Sequence, residues 1–273
     1  MSGFLDEMAR ASAARVCQAM AREPIAELRK RAEAAPRNPP LRLSEQGFDV
    51  IAELKLRSPA AGRLGEPRED WLGRVVQYGL AGAAAVSVLT EPTRFDGSLE
   101  HLRQAARVLA PFAVPVMRKD FLVDPYQVLE ARAAGAGGVL VIVRMLSASQ
   151  MSQLLDAAAE YDMFVLLEAF DAADLSAAQV LTTARNGDNI LIGVNCRDLQ
   201  TLEIVPQRFA ALASHLSTKW PAVAESGVTC AAEAMQMRRL GFRLALIGTA
   251  LMSCHDPTQL LREILTTART VQS

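Results

Sequence analysis

The chain has 273 residues and a formal net charge of −1, from 29 basic and 30 acidic side chains. A balance this even provides no broad positive surface, so we expect no nucleic-acid partner. Hydrophobic residues make up 51% of the chain, which favours a folded protein with a large core over a disordered one.

The N-terminal segment, from Gly3 to about Ala35, has a helical pattern that ends at the prolines between positions 36 and 40. It predicts one or two helices, with Pro24 in a first turn, that pack on the main domain as an extension over residues 1–48. Charged side chains such as Asp6 and Arg10 interrupt its apolar residues, unlike the core of a secretory signal. We therefore expect a cytoplasmic protein.

Beyond this extension, short apolar runs alternate with longer helical patterns. Eight runs are predicted to be strands: Val50–Lys55, Ala84–Leu89, Val114–Arg118, Gly138–Val143, Met163–Glu168, Ile190–Asn195, Ala222–Glu225 and Leu244–Gly248. Eight patterns are predicted to be helices: Trp71–Ala81, Leu99–Leu109, Pro125–Ala134, Ala148–Tyr161, Ala172–Ala184, Gln207–His215, Ala231–Leu240 and Pro257–Val271. Successive strands begin about 22 to 34 residues apart, which is typical of βα units.

The strand patterns indicate one α/β barrel. Runs such as Val139–Val143 are apolar without alternation, so both faces of the sheet should be buried under helices. Eight units favour a closed (β/α)8 TIM barrel over residues 49–273 rather than an open doubly wound sheet. No G-x-G-x-x-G motif of a dinucleotide site follows the first strand. The apolar runs are also far shorter than the roughly 18 residues that span a bilayer, so no membrane partner is expected.

The four cysteines show neither C-x-x-C nor Cys/His ligand spacing. Four cysteines in a chain of this size do not indicate a disulfide framework. We expect buried, reduced thiols and no metal site.

Polar residues collect where the predicted strands end, which is where barrel enzymes carry their catalytic groups. They include Glu53, Lys55, Lys119, Glu168, Asn195, Arg197, Glu225 and Ser226. Each alone fits a rim ion pair or a helix cap. Crowded around one barrel mouth, they indicate a ligand site. Glycines after the last two strands, Gly227 and Gly248, expose backbone N–H groups that suit a phosphate.

Several motifs at these strand ends together resemble the indole-3-glycerol phosphate synthase family. They are Ile51-Ala-Glu-Leu-Lys55 with Ser58-Pro59, Ser87–Pro92 with Phe95–Ser98, Arg118–Phe121 with Asp124–Gln127, Gly193–Asn195 with Arg197–Leu199, Ala224–Gly227, and Ile247–Thr249 with Leu251-Met252. The likeness extends from about Ile51 to Met252.

The resemblance implies a decarboxylating, ring-closing carboxy-lyase of tryptophan biosynthesis. Its phosphorylated small-molecule substrate would be 1-(2-carboxyphenylamino)-1-deoxyribulose 5-phosphate, and its products indole-3-glycerol phosphate, CO2 and water. No metal or organic cofactor is implied. A monomer or weak homodimer is expected.

The resemblance also assigns roles. Lys119 matches the general acid that protonates the substrate carbonyl. Glu168 and Glu53 match the carboxylates that transfer protons in the later steps. Lys55 matches a substrate contact that assists dehydration, and Asn195 matches the group that orients the reacting hydroxyl. Substrate-binding matches are Arg197 for the anionic end, Phe95, Phe121 and Leu199 for the anthranilate ring, Ser58, Gly227, Gly248 and Thr249 for the phosphate, and Glu225 and Ser226 at the mouth.

The two site lysines fit this chemistry. A carbonyl that becomes a hydroxyl and then leaves as water requires a cationic acid near its oxygen. Lysine serves if its surroundings lower its pKa toward the working pH, whereas arginine does not give up its proton. This need offers a reason for Lys55 and Lys119 in a chain with four lysines and 25 arginines.

Two alternatives remain open at this point. Another phosphate-binding barrel enzyme, such as phosphoribosylanthranilate isomerase, would not require Lys55 and Lys119 together with Glu168. A duplicated barrel that binds the ligand as a regulatory protein is an alternative of a different class. The loop Ser58-Pro-Ala-Ala-Gly62 favours it, because the family usually has Ser-Pro-Ser-Lys-Gly there.

Overall fold

Eight parallel strands close into a barrel, as the sequence predicts. The computed structural model describes residues 3–58, 62–63, 70–186, 189–198 and 201–270. The barrel strands are β1 (Asp49–Leu54), β2 (Ala85–Leu89), β3 (Val116–Lys119), β4 (Gly138–Ile142), β5 (Phe164–Ala169), β6 (Ile190–Asn195), β7 (Ala222–Glu225) and β8 (Leu244–Ile247). Each pairs with its neighbours in chain order, and β1 also pairs with β8 to close the ring. The fold is therefore a (β/α)8 TIM barrel.

Helices surround the barrel and precede it. They are α1 (Phe4–Arg22), α2 (Ile25–Ala34), α3 (Trp71–Leu80), α4 (Pro92–Phe95), α5 (Leu99–Leu109), α6 (Pro125–Ala133), α7 (Ala148–Ala159), α8 (Ala172–Thr182), α9 (Gln207–Leu212), α10 (Ala231–Arg239), α11 (Thr249–Ser253) and α12 (Pro257–Arg269). Short 3-10 turns follow α5, β4 and α9. A two-stranded hairpin, Arg57–Ser58 with Gly62–Arg63, follows β1.

The strands are buried on both faces, which explains their unbroken apolar runs. Inward side chains such as Ile51, Met117 and Leu166 form a cluster inside the barrel. The alternate residues, such as Val50 and Val86, belong to the larger cluster between the strands and the helices. Side chains two residues apart on a strand therefore point to the same face. Polar residues that end the inward-facing series lie at the barrel mouth.

Polar caps set where several outer helices begin. The side chains of Ser98, Asp124, Ser147, Asp171 and Asp256 each accept a hydrogen bond from a backbone N–H in the first turn of the following helix. Such caps satisfy donors that the helix itself leaves unpaired. They fix the residue at which each of these helices begins.

The predicted strand Val114–Arg118 is displaced by two residues at its start. Ala113 adopts a left-handed conformation with φ of 54°, and the Pro115 nitrogen has no hydrogen to donate. The strand β3 therefore begins at Val116 and runs on to Lys119, whose carbonyl accepts from the Thr90 N–H at 3.0 Å. The remaining predicted strands and helices agree with the structure to within about two residues. There are two exceptions. The last turn of Gln207–His215 is 3-10 helix, and Val271, the predicted end of the last helix, lies outside the described residues.

The N-terminal extension forms two helices. Glu23 and Pro24 separate them with extended backbone. Helix α2 buries Leu28 against Tyr126 of α6, and the Tyr126 hydroxyl donates to the Glu23 carbonyl at 2.9 Å. Helix α1 buries Met8 among side chains of the barrel interior.

The cysteines differ from the expectation of burial. Cys196 is buried, but Cys17 and Cys230 are exposed and Cys254 is partly exposed. Cys17 lies on the outward face of α1 and Cys230 at the start of α10. These positions face solvent, although free cysteine is usually buried. Within the described ranges, no helix combines the length and the apolar character that crossing a membrane requires.

Candidate active site

A cavity of about 280 Å³ opens at the C-terminal ends of the barrel strands. Its lining includes these residues predicted from the sequence: Glu53, Lys55, Phe95, Lys119, Phe121, Glu168, Asn195, Arg197, Glu225, Ser226, Gly227, Gly248 and Thr249. Leu199 lies outside the described residues, as does the side chain of Ser58. The structure therefore brings the predicted residues of seven strand ends together in one site.

Lys119, the last residue of β3, lies between two buried carboxyl groups. Its ammonium group donates to Oε2 of Glu168 at 2.9 Å and approaches Oε2 of Glu225 at 3.4 Å. The side chain of Lys119 is 17% exposed, against 3% for Glu168 and 1% for Glu225. These three strands thus hold one cation and two acids in contact at the base of the cavity.

The condition suggested by the sequence, a pKa of Lys119 lowered toward the working pH, is not met by the surroundings of this lysine. Burial does favour the neutral amine, but Glu168, Glu225 and Glu53 together outweigh it and hold the pKa of Lys119 above its usual value. Lys119 is therefore a firmly charged ammonium group. An alkoxide is a far stronger base than an amine, so this ammonium can still protonate an oxygen that becomes an alkoxide.

The surroundings of Glu225 favour its neutral form. Burial, followed by the charge of Glu168, raises the pKa of Glu225 well above its usual value, and Lys119 only partly opposes this. Its Oε1 is buried and has no hydrogen-bond partner among the described residues. Gly193 on β6 leaves room for this oxygen, because a Cβ there would collide with it. The cluster therefore places one ammonium beside two carboxyl groups, and the charge of Glu168 opposes a second negative charge on Glu225.

A second lysine and carboxylate stand at the end of β1. The ammonium of Lys55 lies 2.9 Å from Oε1 of Glu53, and the two side chains are 12% and 3% exposed. A Cβ on Gly248 would collide with the same carboxylate oxygen. The glycine after β8 therefore has a steric reason to be there, in addition to the phosphate contact that the sequence suggests.

The end of β6 is braced by hydrogen bonds to its backbone. The side-chain oxygen of Asn195 accepts from the Arg197 N–H at 2.9 Å, which orients the amide. Arg208 of α9 donates to the Asn195 carbonyl at 2.7 Å and to that of Arg197 at 3.2 Å. The Arg197 guanidinium donates to the Leu202 carbonyl at 2.7 Å while it lines the cavity. Asn195 and Arg197 therefore occupy fixed positions before any ligand binds.

Glycines shape the turns that follow β7 and β8. Ser226 and Gly227 both have left-handed backbone, with φ of 65° and 76°. A side chain at Gly227 would press on the Cys196 sulfur, so glycine is required there for both its conformation and its size. On the neighbouring strand, Gly248 leads directly into α11. Residues of both turns line the same cavity, so their backbone N–H groups are candidates for a phosphate contact.

The opposite side of the cavity is apolar. The rings of Phe95 and Phe121 are 6.2 Å apart, and Phe4 of α1 makes an edge contact with Phe121 at 5.8 Å. Sequence reasoning missed Phe4, because nothing in a local pattern shows where a preceding helix docks. Leu140 and Ile142 line the cavity too and were likewise missed. They could have been found as inward-facing residues of β4.

The cavity is therefore divided by chemistry. An aromatic end suits a planar ring, a glycine-rich end suits a phosphate, and two lysine–carboxylate pairs lie between them. Such a site can bind a phosphorylated aromatic molecule in a bent form and move protons at its centre.

Comparison with known proteins gives this geometry a family context. Residues 5–264 match the family model described as indole-3-glycerol phosphate synthase. The chain is 44% identical over 215 residues to an indole-3-glycerol phosphate synthase of Leifsonia xyli subsp. xyli, covering 78% of each chain. It is 38% identical over 272 residues to that of Aromatoleum aromaticum, covering 97% of this chain and 99% of the relative.

Solved structures share the fold at low identity. A 3-hexulose-6-phosphate synthase from Salmonella typhimurium matches with a TM-score of 0.61 and 12% identity, over 81% of this chain and 98% of that one. A thiamine phosphate pyrophosphorylase from Pyrococcus furiosus matches with a TM-score of 0.58 and 13% identity, over 82% and 98%.

Proposed function

Because the chain belongs to the indole-3-glycerol phosphate synthase family, we propose that its barrel mouth converts 1-(2-carboxyphenylamino)-1-deoxyribulose 5-phosphate to indole-3-glycerol phosphate, CO2 and water. The observation that carries this assignment is the position of Lys119, in contact with Glu168 and Glu225 between an aromatic wall and a glycine-rich turn. The substrate has an aromatic ring at one end, a phosphate at the other and a carbonyl between them. The site has an aromatic wall, a glycine-rich turn and Lys119 between the two.

The substrate binds across the mouth with its two ends held apart. Its aromatic ring packs against Phe95 and Phe121, and its phosphate accepts hydrogen bonds from the turns at Gly227 and Gly248, with Thr249 beside them. Arg197 supports the carboxylate on the ring. Holding both ends folds the flexible chain so that the ring carbon bearing the carboxylate faces the carbonyl carbon, which supplies much of the rate enhancement through proximity.

The first chemical step forms a carbon–carbon bond. The ring carbon attacks the carbonyl carbon, and the carbonyl oxygen takes a proton from the Lys119 ammonium to become a hydroxyl. The bond from the ring to the carboxylate then breaks, CO2 leaves, and its electron pair restores the aromatic ring. Glu168 stabilises the cationic intermediate that exists between these events, because its carboxylate lies next to the position where the positive charge develops.

Dehydration completes the indole. Asn195 orients the new hydroxyl, which leaves as water after it receives a proton. A carboxylate removes the proton from the neighbouring carbon, and the new double bond closes the aromatic system. Lys55 and Glu53 form the second proton-transfer pair and stand on the opposite side of the mouth from Glu168, so one pair can deliver a proton while the other removes one.

The assignment is tested by turnover of the purified protein with this substrate. We expect indole-3-glycerol phosphate to accumulate, followed by its absorbance and fluorescence, together with one CO2 for each indole formed. Binding of the substrate without release of product would indicate a regulatory barrel instead. Turnover of N-(5′-phosphoribosyl)anthranilate without the ring closure would indicate the isomerase.

We further propose that the chain acts as a monomer or weak homodimer. In the part of the chain that the structure describes, the large exposed apolar side chains are Ile25, Leu80 and Val180, which lie on three different helices. Scattered residues of this kind do not form the contiguous apolar patch of a permanent dimer. Light scattering at micromolar concentration, with and without substrate, tests this.

A further inference from the structure

Arg15, on the N-terminal helix α1, contacts two buried carboxylates at the rim of the barrel. Its guanidinium donates to Oδ1 of Asp120 at 2.6 Å and to Oε1 of Glu91 at 3.2 Å. The side chain of Arg15 is 27% exposed, whereas those of Asp120 and Glu91 are 1% and 0% exposed. Both carboxylates follow barrel strands, Glu91 after β2 and Asp120 after β3.

Asp120 sits in the chain between two residues of the site. Lys119 and Phe121 point into the cavity on either side of it. One carboxylate oxygen of Asp120 accepts from the Phe121 N–H at 2.8 Å, and the other accepts from the Thr90 hydroxyl at 2.8 Å and from Arg118 at 3.1 Å. The orientation of Asp120 therefore sets the backbone that carries both Lys119 and Phe121.

Glu91 controls the other half of the aromatic wall. Its carboxylate accepts from the backbone N–H groups of Thr93 and Arg94 at 2.9 Å and 2.6 Å, which fixes the start of α4. Phe95 is the last residue of that helix. By bridging Glu91 and Asp120, Arg15 ties the segment that carries Phe95 to the segment that carries Phe121.

The rest of α1 presents the same face to the site. Eleven residues are about three helical turns, so Phe4 and Arg15 lie on one side of the helix. Between them, Met8 is buried with Phe121 in the barrel interior, and the Ser12 hydroxyl accepts from Gln127 at 2.9 Å. Arg15 thus anchors the helix that presses Phe4 onto Phe121.

We propose that Arg15 is a positioning residue for the reaction, which sets the spacing of the aromatic wall and the place of Lys119 through Asp120 and Glu91. This inference rests on the proposed function. A planar guanidinium can bind two carboxylates in fixed directions at once, whereas an ammonium on a flexible stem cannot. A misplacement of about 1 Å in such a site can cost on the order of a hundredfold in rate.

The test compares Arg15→Met and Arg15→Lys with a matched control, Arg94→Gln. Arg94 also joins the barrel to α1, through a contact of 2.7 Å to Glu7, but both partners are half-exposed. At 25 °C, we expect Arg15→Met to lower kcat/KM about tenfold or more, Arg15→Lys to fall between it and the wild type, and Arg94→Gln to match the wild type.

Hydrogen exchange supplies a readout that needs no turnover. The Phe121 amide depends on Asp120, so it should exchange about tenfold faster in Arg15→Met and be unchanged in Arg94→Gln. Normal kcat/KM and normal Phe121 exchange in folded Arg15→Met overturn the proposal. If that variant does not fold, the same wild-type behaviour in Arg15→Lys overturns it. An inactive wild type contradicts the proposed function instead. The exchange data then still show whether Arg15 positions Asp120 and the Phe121 amide.

Discussion

Gly193 on β6 lies so close to Glu225 on β7 that a Cβ at position 193 would occupy the place of Oε1 of the glutamate. We therefore expect Gly193→Ala to push the carboxyl away from Lys119 and to lower kcat about tenfold or more, while the fold is retained. The double-mutant cycle with Glu225→Ala checks the cause. Once the carboxyl is absent, Gly193→Ala should have little further effect on kcat, and fully additive losses would contradict the steric explanation.

Replacing Lys119 removes the proposed acid but keeps much of the side chain's length. Lys119→Met should lower kcat by about a thousandfold or more, within the range expected for loss of a general acid, and leave substrate binding largely in place. Single-turnover kinetics and equilibrium binding separate the two effects. Lys30→Met is the control, because Lys30 is 71% exposed on α2 and pairs with Glu27 at the surface. Lost binding with normal residual turnover would contradict the role of Lys119.

Glu225 links the site to stability. The pKa of Glu225 is raised in the folded protein. The native state therefore keeps a proton that the unfolded chain loses above pH 4.5, the ordinary pKa of a glutamate. Native stability contributed by this group must then fall as the pH rises from 4.5 through the raised pKa. Glu225→Gln removes this loss, so the melting temperature of the variant should exceed that of the wild type by a margin that grows over this range.

Calorimetry at several pH values measures this margin, which should be about 2 to 4 °C for each kcal/mol gained. The exposed Glu27→Gln serves as the control, with no such trend. The same Glu225→Gln change should lower turnover, as expected when stability is sacrificed for a functional group. A margin that shrinks as the pH rises would show that Glu225 is held ionised.

Cysteine reactivity gives a further test. Burial raises the pKa of Cys196 to about 11, so about one molecule in a thousand carries the thiolate at pH 8. Iodoacetamide at this pH should modify the exposed Cys17 and Cys230 and leave Cys196 intact until the protein is unfolded in urea. Peptide mass spectrometry distinguishes the sites. Modification of Cys196 at the rate of Cys17 in the native protein would contradict its burial beside the turn after β7.

The barrel could be predicted from the sequence because its strands are apolar on both faces and recur with βα spacing. The start of β3 could not, since the run at Val114 continues the apolar pattern while a left-handed Ala113 and Pro115 delay pairing. The short helices α4 and α11 were also missed, because one turn of helix carries no periodicity that distinguishes it from a loop.

The polar part of the site was predictable for a different reason. Alternation places Glu53 and Lys55, or Lys119 and Phe121, at strand ends whatever the details of packing. The charge state of Lys119 was not predictable, because it depends on how closely Glu168 and Glu225 approach from other strands. Phe4 and Arg15 were missed because α1 reaches the rim through tertiary docking, which leaves no short-range pattern in the sequence.

The seam between β1 and β8 has a consequence for synthesis of the protein. Asp49 to Ala52 pair with Leu244 to Ile247, and the Glu53 carboxylate occupies space that Gly248 provides. A nascent chain on the ribosome therefore cannot close the barrel until the segment that forms β8 has emerged. Until then the β1 edge stays open to chaperones or to other growing chains, and the site at the barrel mouth is incomplete.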